Sequence, residues 1–208
     1  VTGSPIRREL LTGDSEKGYA FCGFDKEKPV IMIIGGSLGS VNVNTHVRAV
    51  LPELLKNYQV FHLCGKGNLD ETLNDTKGYR QYEYIREELP DLYAMADLVI
   101  YRAGAKSICE IAALAKPNLL IPLSANASRG DQILNARSFE KQGFSKVLEE
   151  EEITDEILLQ TIFDLYEKRS DYISTIKTSG QSDAIALILD IIEEVCRSKA
   201  GKSHHHKA

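Results

Sequence analysis

The chain has 208 residues, of which 43% are hydrophobic and 26% charged, and its formal net charge is −5. This length and apolar content allow one α/β domain with an appendage, and the weak acidic charge gives no field that would attract nucleic acid or an acidic membrane. No signal peptide is visible, and no apolar run reaches the roughly 20 residues that a membrane-spanning helix needs. The four cysteines show no Cys-x-x-Cys spacing, which favours reduced thiols in a cytoplasmic protein.

The two ends of the chain differ from its middle. It begins at Val1 rather than at a methionine and enters a turn-rich segment, Thr-Gly-Ser-Pro-Ile-Arg, so we expect an excised part of a longer protein. Residues 183–197 carry a broad apolar helical face that needs a partner surface. Residues 199–208 include three consecutive histidines, and we interpret them as a disordered tail or a remnant of cloning.

Six apolar runs of strand length follow one another along the chain, at residues 30–34, 60–64, 81–85, 98–101, 119–122 and 146–148. Segments with helical periodicity lie between most of them, at residues 43–55, 89–96, 107–114 and 131–142. The first run, Val-Ile-Met-Ile-Ile, is apolar at every position, which is typical of a parallel strand covered on both faces. The sequence therefore predicts an α/β fold: a Rossmann-like open parallel sheet with helices on both faces.

Several helix ends can be predicted from capping residues. Asn42 or Asn44 is a candidate cap for the helix after the first strand, and Thr154 for a helix that runs to Lys168. Gly143 is expected to end the helix that starts at residue 131. The acidic run at residues 149–152 is interpreted as a solvated turn without a function, and His46 and His62 as packed or surface histidines.

Two glycine-containing loops follow apolar strands and precede helices. They are Ile-Ile-Gly-Gly-Ser-Leu-Gly-Ser at residues 33–40 and Tyr-Arg-Ala-Gly-Ala-Lys-Ser at residues 101–107. Two helix N-termini at one edge of a sheet can direct N–H groups at one anion, and a diphosphate suits this arrangement. In the first loop Ser37 adds a hydroxyl. Because this loop is neither a Walker motif nor Gly-x-Gly-x-x-Gly, a strand-to-helix turn without a ligand remains an alternative.

Polar side chains accompany the later helix starts. Glu110 lies about one and a half turns into the helix after Gly104 and Ala105, where a carboxylate can accept hydrogen bonds from a ribose diol. The alternative is a solvated glutamate. Asp131, Gln132 and Asn135 begin a further helix, with groups suited to reading sugar hydroxyls; helix capping by Asp131 is the competing explanation.

Four segments in this order resemble the C-terminal half of the MurG family of bacterial glycosyltransferases: Gly-Gly-Ser-Leu-Gly-Ser, Arg-Ala-Gly-Ala-Lys-Ser-Ile-Cys-Glu-Ile, Pro-Asn-Leu-Leu-Ile-Pro and Asp-Gln-Ile-Leu-Asn-Ala. The resemblance covers about residues 1–195. It implies one half of a GT-B fold, with residues 1–10 as the remnant of an interdomain linker and residues 11–198 as the domain that binds the donor, UDP-N-acetylglucosamine.

The resemblance also implies roles for individual residues. The backbone of Tyr84 and Ile85 would read uracil, Arg7 would lie near the base, and Glu110 would hold the ribose hydroxyls. Ser37 would close on the diphosphate.

On the second loop, the Gly104, Ala105 and Ser107 turn would face the α-phosphate. Asp131 and Gln132 would contact the sugar, at a position where many members carry Gln-Gln or His-Gln instead of Asp-Gln.

The implied activity is transfer of N-acetylglucosamine to the lipid-linked muramoyl-pentapeptide of peptidoglycan synthesis. The implied mechanism is direct displacement with inversion, without a metal or other cofactor in the donor site. The general base is expected on a missing N-terminal acceptor domain, so this part alone should bind donor without turnover. The full-length protein is expected to be cytoplasmic and peripheral at the inner face of the cytoplasmic membrane, with no nucleic-acid partner.

Three alternatives remain open from the sequence. One is a nucleotide-sugar epimerase on the same scaffold, for which Asp131 is the obvious acid/base candidate in this half. Another is a non-catalytic donor-binding subunit that pairs with a separate acceptor chain. The third is a nicotinamide-binding domain, although Cys64-Gly65-Lys66 stands where such a domain would have an acidic residue.

Overall fold

A computed structural model describes residues 8–36, 38–103, 105–128 and 130–180 of the chain. In these ranges a six-stranded sheet has the order β3-β2-β1-β4-β5-β6, and all of its strand pairs are parallel. The strands are β1 (Val30–Ile34), β2 (Gln59–Leu63), β3 (Tyr79–Tyr82), β4 (Leu98–Ala103), β5 (Asn118–Pro122) and β6 (Lys146–Val147). The predicted open parallel sheet is confirmed.

Helices connect the strands and cover the sheet. They are α1 (Ser15–Cys22), α2 (Val41–Leu54), α3 (Leu89–Met95), α4 (Ala105–Leu114), α5 (Ala125–Ser128), α6 (Asp131–Lys141), α7 (Asp155–Glu167) and α8 (Arg169–Thr178). Short 3-10 turns occupy Arg8–Leu11, Glu71–Leu73 and Glu150–Glu152. No helix of the described ranges is both long and apolar enough to cross a membrane.

The core lies on both faces of the sheet. Ile31 and Ile33 of β1 point to one face, where α2 and α7 cover them, and Val30 and Met32 point to the other, where α3 and α4 lie. All four side chains are at most 1% exposed, which explains why the run carries no polar residue. This two-sided burial is the main source of stabilisation that the sequence pattern predicts.

The predicted cap of α2 is wrong, whereas that of α7 is confirmed. Ser40, with extended backbone, accepts a hydrogen bond from the Val43 amide at 3.3 Å, so α2 begins before both candidate asparagines. Asn44 is instead buried inside the helix. Thr154 accepts from the Ile157 amide at 3.2 Å, as expected for an N-cap.

The end of α6 and the packing of Cys22 are as predicted, whereas the position of the third strand is not. Gly143, with a φ of +78°, follows the last turn of α6 as predicted. The third strand was predicted at residues 81–85 but lies at Tyr79–Tyr82, because Tyr79 pairs in register with Val60 and buries its ring. Cys22 is buried, and burial raises the pKa of its thiol to about 12, as an inert packed cysteine requires.

Some of the residues predicted as an interdomain linker lie in the part of the chain that the structure describes. Of the segment predicted as linker, residues 8–10 belong to the first 3-10 turn, and Leu10 packs into the core beside α3. Residues 1–7, the predicted helix at residues 183–197 and the tail lie outside the described residues.

Candidate functional site

A cavity of about 470 Å³ opens at the carboxyl edge of the sheet. The cavity lies where the order of the strands reverses. The chain leaves β1 towards β2 on one side of this point, and it leaves β4 towards β5 on the other side. In open α/β sheets, ligands bind at this reversal because the two loops diverge and leave a crevice. The cavity floor is largely apolar and is formed by Ile34, Leu63, Leu89, Tyr93 and Tyr101.

Two tyrosines connect the cavity floor to α4. The Tyr93 ring is 1% exposed, and its hydroxyl is hydrogen-bonded to Tyr101. Burial raises the pKa of Tyr93 far above its ordinary value, and the charges of Tyr101 and Glu110 act in the same direction. Glu110 is therefore close to the floor, and it is half-buried rather than fully solvated.

The cavity rim carries positive charge. Lys66 follows β2 and Arg86 follows β3, and neither has an ion-pair partner among the described residues. The Arg86 guanidinium lies 6.0 Å from the ring centroid of Tyr84, which is 63% exposed. Glu83, the acidic neighbour, accepts from the Gly67 amide at 2.6 Å. This rim favours an anionic ligand.

The loops after β1 and β2 pack backbone against backbone. Gly39 has a φ of +71°, and a Cβ there would lie 2.0 Å from the Cys64 carbonyl oxygen. A Cβ on Gly65, whose φ is +88°, would lie 2.3 Å from the Gly39 amide nitrogen. Only glycine fits at either position, so part of the glycine content of the first loop has a packing cause. Gly36 by contrast lines the cavity.

A buried polar network supports the second of these loops. Asn44 donates through Nδ2 to the Cys64 carbonyl at 2.9 Å, so its Oδ1 accepts from Nε2 of His62 at 2.9 Å. The other ring nitrogen of His62, Nδ1, accepts from the Tyr79 hydroxyl at 2.9 Å. Burial lowers the pKa of His62 to about 3, with the Arg48 charge a smaller cause. His62 is a neutral packed histidine, as predicted.

The acidic run at residues 149–152 corrects another prediction. Glu150 is not a solvated turn residue: its carboxylate forms two hydrogen bonds with the Arg102 guanidinium, at 2.9 and 3.3 Å, and accepts one from Ser40 at 3.0 Å. Glu149 binds Arg137 at 2.7 Å. These pairs could not be predicted from local sequence patterns, because the partners of Glu150 lie 48 and 110 positions away.

The residues predicted to contact a sugar lie at the start of α6. Asp131 is exposed in the first turn, and the N-cap position belongs to Gly130, so capping does not explain Asp131. Gln132 accepts through Oε1 from the Leu123 amide at 3.2 Å, which fixes it against the loop after β5. Asn135 is exposed. None of these three residues lines the cavity.

The other predicted site residues are placed only in part. Tyr84 and Ile85 line the cavity, but they follow β3 instead of ending it. Ala105 and Ser107 lie in the first turn of α4.

Arg7, Ser37 and Gly104 lie outside the described residues. Within the ranges that are described, no group of three His, Cys, Asp or Glu side chains could hold a metal ion.

Comparison with known proteins identifies the family. The model of the glycosyltransferase family 28 C-terminal domain matches residues 30–190. The chain belongs to this family. The match spans the whole described sheet and all the loops at its carboxyl edge.

Relatives of this family 28 domain agree with the motif-based resemblance to MurG. A UDP-N-acetylglucosamine--N-acetylmuramyl-(pentapeptide) pyrophosphoryl-undecaprenol N-acetylglucosamine transferase of Clostridium perfringens (strain SM101 / Type A) is 59% identical over 194 residues, covering 93% of this chain and 54% of its own. A transferase of the same name from Lachnospira eligens is 55% identical, covering 93% of this chain and 55% of its own. The chain therefore spans about half the length of these relatives.

A solved structure has the same fold as this family 28 domain. The crystal structure of MurG from Acinetobacter baumannii aligns with a TM-score of 0.67 at 22% identity, over 91% of this chain and 56% of that one. The predicted fold class, one Rossmann-like half of a GT-B glycosyltransferase, is confirmed. The comparisons do not favour the epimerase or the separate subunit.

Proposed function

We propose that this chain is the donor-binding part of an enzyme that transfers N-acetylglucosamine from UDP-N-acetylglucosamine to a lipid-linked muramyl-pentapeptide, the reaction in the relatives' names. The observation that carries the proposal is the cavity at the reversal point of the sheet, with Gly36 and the Tyr84–Arg86 segment on its rim. The 59% identity to a transferase so named supports the choice of sugar nucleotide.

The parts of the cavity suit the parts of a uridine diphosphate. A planar base can lie on the apolar floor against Ile85, with its polar edge towards the backbone of residues 84 and 85. Glu110, beside Tyr93 at that floor, is the carboxylate that would accept from the ribose hydroxyls. The starts of α2 and α4 offer N–H groups and positive dipole ends for the diphosphate.

The rim cations would assist the diphosphate further. Lys66 and Arg86 stand at the cavity rim without ion-pair partners among the described residues, so an arriving anion does not have to displace a carboxylate from them. Asp131, Gln132 and Asn135 remain our candidates for the sugar, on a helix start beyond the cavity.

We infer a displacement with inversion in which the helix starts and loop amides stabilise the departing UDP, because preorganised N–H donors act most strongly where charge develops. The general base would come from the remainder of the full-length protein, as would the lipid acceptor site and the attachment to the inner face of the membrane. A metal-independent donor site predicts equal UDP affinity in EDTA and in MgCl₂, measured by calorimetry.

Calorimetric titration with UDP and with UDP-N-acetylglucosamine tests the proposal. The chain should bind both, and Glu110→Ala should weaken UDP binding by about 2 to 3 kcal/mol, the contribution of charge-assisted hydrogen bonds. Glu156→Ala is the matched control, because it removes the same charge from an exposed position in the first turn of α7.

A transfer assay with a lipid acceptor completes the test. The chain alone should give no product, whereas turnover would contradict the assignment of the base to the rest of the protein. Absence of UDP binding by the unaltered chain would overturn the proposal as a whole. If the chain converted UDP-N-acetylglucosamine to an epimer, the epimerase would replace the transferase as the function.

A further inference from the structure

Glu150 joins the start of α2 to the end of β4, the strand that precedes α4. Its Oε2 binds Nη2 of Arg102 at 2.9 Å, and its Oε1 accepts both from Nη1 of Arg102 at 3.3 Å and from the Ser40 hydroxyl at 3.0 Å. Its backbone carbonyl accepts from Nδ2 of Asn42 at 3.4 Å. One residue thus contacts the start of α2 twice and the end of β4 once, through a two-pronged ion pair.

The two side-chain partners of Glu150, Ser40 and Arg102, lie in segments that lead into different helices. Ser40 ends the loop after β1 and caps α2 through the Val43 amide. Arg102 is the last residue but one of β4, and α4 begins at Ala105. The carboxylate therefore links the first turn of α2 to the end of β4 over a distance that the parallel pairing of β1 with β4 brings within reach.

The ion pair is protected enough to hold this distance. The side chains of Arg102 and Glu150 are only 15% and 18% exposed, so water and salt screen the pair less than they screen a surface pair. The planar guanidinium fixes direction as well as distance, because it donates through two parallel N–H groups. Glu150 and Arg102 also neutralise each other, so the carboxylate adds little repulsion towards an anion nearby.

We propose that Glu150 is a positioning residue for the donor diphosphate: it ties the first turn of α2 to the end of β4 so that both helix starts face one ligand. This inference rests on the proposed function and goes beyond it, since Glu150 itself need not touch the ligand. It acts on the phosphates and not on the base, which lies against a different part of the cavity.

The test compares uridine with UDP in two alanine variants of the same turn. Glu150→Ala should lower UDP affinity about tenfold, as expected for lost charge-assisted hydrogen bonds, and leave uridine affinity within about twofold. Glu151→Ala removes the same charge from the exposed neighbour and should change neither. Glu150→Gln keeps an acceptor oxygen for Ser40 and should give an intermediate loss of UDP affinity.

Hydrogen exchange provides a measurement that needs no ligand. Amides in the peptide that covers residues 35–40 should exchange faster in Glu150→Ala than in Glu151→Ala, at a temperature where both variants are folded by circular dichroism. Equal exchange, unchanged UDP affinity, or parallel loss of uridine and UDP affinity would each overturn the positioning role. If the unaltered chain binds neither compound, the proposed function fails, whereas a loss confined to Glu150→Ala with a binding parent supports both.

Discussion

The hydroxyl of Tyr79 donates a hydrogen bond to Nδ1 of His62 across 2.9 Å, in a region where both side chains are at most 1% exposed. The imidazole is held neutral there, since burial lowers the pKa of His62 to about 3. The unfolded chain binds a proton at this residue near its ordinary pKa of about 6.5, whereas the folded chain does not.

This difference predicts a loss of stability in mild acid. Between about pH 6.5 and 3 the unfolded state binds more protons at His62, so the free energy of unfolding should fall as pH falls, by at most about 1.4 kcal/mol per pH unit from this residue. Urea denaturation at pH 7.0, 6.0 and 5.5 measures the effect above the range of most carboxylates.

Two histidine variants isolate the cause. His62→Gln should be less stable at pH 7 but should show a flatter dependence on pH. His46→Gln, which alters a histidine that binds the exposed Asp155, should retain the full dependence. A dependence that persists unchanged in His62→Gln would assign it to other groups.

The N-caps of α2 and α7 allow helix stability to be tested apart from ligand binding. Thr154→Ala and Ser40→Ala should each lower the free energy of unfolding by about 1 kcal/mol, the usual contribution of a capping side chain. Only Ser40→Ala should also weaken UDP binding, because Ser40 additionally donates to Glu150. Thermal denaturation and calorimetry on both variants measure this. Equal UDP affinities would show that the cap of α2 has no part in the site.

The packing of the first two loops predicts a position-dependent penalty for alanine. Gly67→Ala should cost about 1 kcal/mol, since its φ is +75° but no atom lies near the added Cβ. Gly39→Ala should cost clearly more, because its Cβ would overlap the Cys64 carbonyl. Urea denaturation at one pH measures both. Similar costs would mean that the loops can separate without penalty.

The cationic rim predicts a salt-sensitive component of binding. Lys66→Gln and Arg86→Gln should each weaken UDP binding about threefold at low salt and reduce the dependence of affinity on ionic strength. Uridine, which has no phosphate, should bind these variants as it binds the parent. Lys77→Gln, an exposed lysine away from the cavity, is the control. A uniform effect of all three variants would point to net charge alone.

Much of the sheet could be predicted from the sequence. The run Val30–Ile34 is buried on both faces and has no polar position, so its composition alone identifies it as a buried strand. The third strand was misplaced because Tyr79 and Arg80 do not read as an apolar run, and the burial of Tyr79 depends on His62, which is distant in sequence.

The candidate site was likewise predictable only where its features are local in the sequence. Short-range patterns gave the two helix starts and the segment with Tyr84 and Ile85, since glycine loops and strand ends are local features. Glu150 was missed because its role depends on Arg102 and Ser40, which only the folded chain brings to it. An acidic run has the same local pattern whether it meets solvent or a guanidinium.

The complete burial of β1 has a consequence for altering the specificity of the donor. The first four side chains of β1 pack into the hydrophobic cores on the two faces of the sheet, and of this strand only Ile34 reaches the cavity. Hydrophobic frames of this kind tolerate few substitutions, whereas the segments at their carboxyl edge are replaceable. Exchange of the loops after β2, β3 and β5 between related chains is therefore the economical way to change nucleotide or sugar preference, with the strands left untouched.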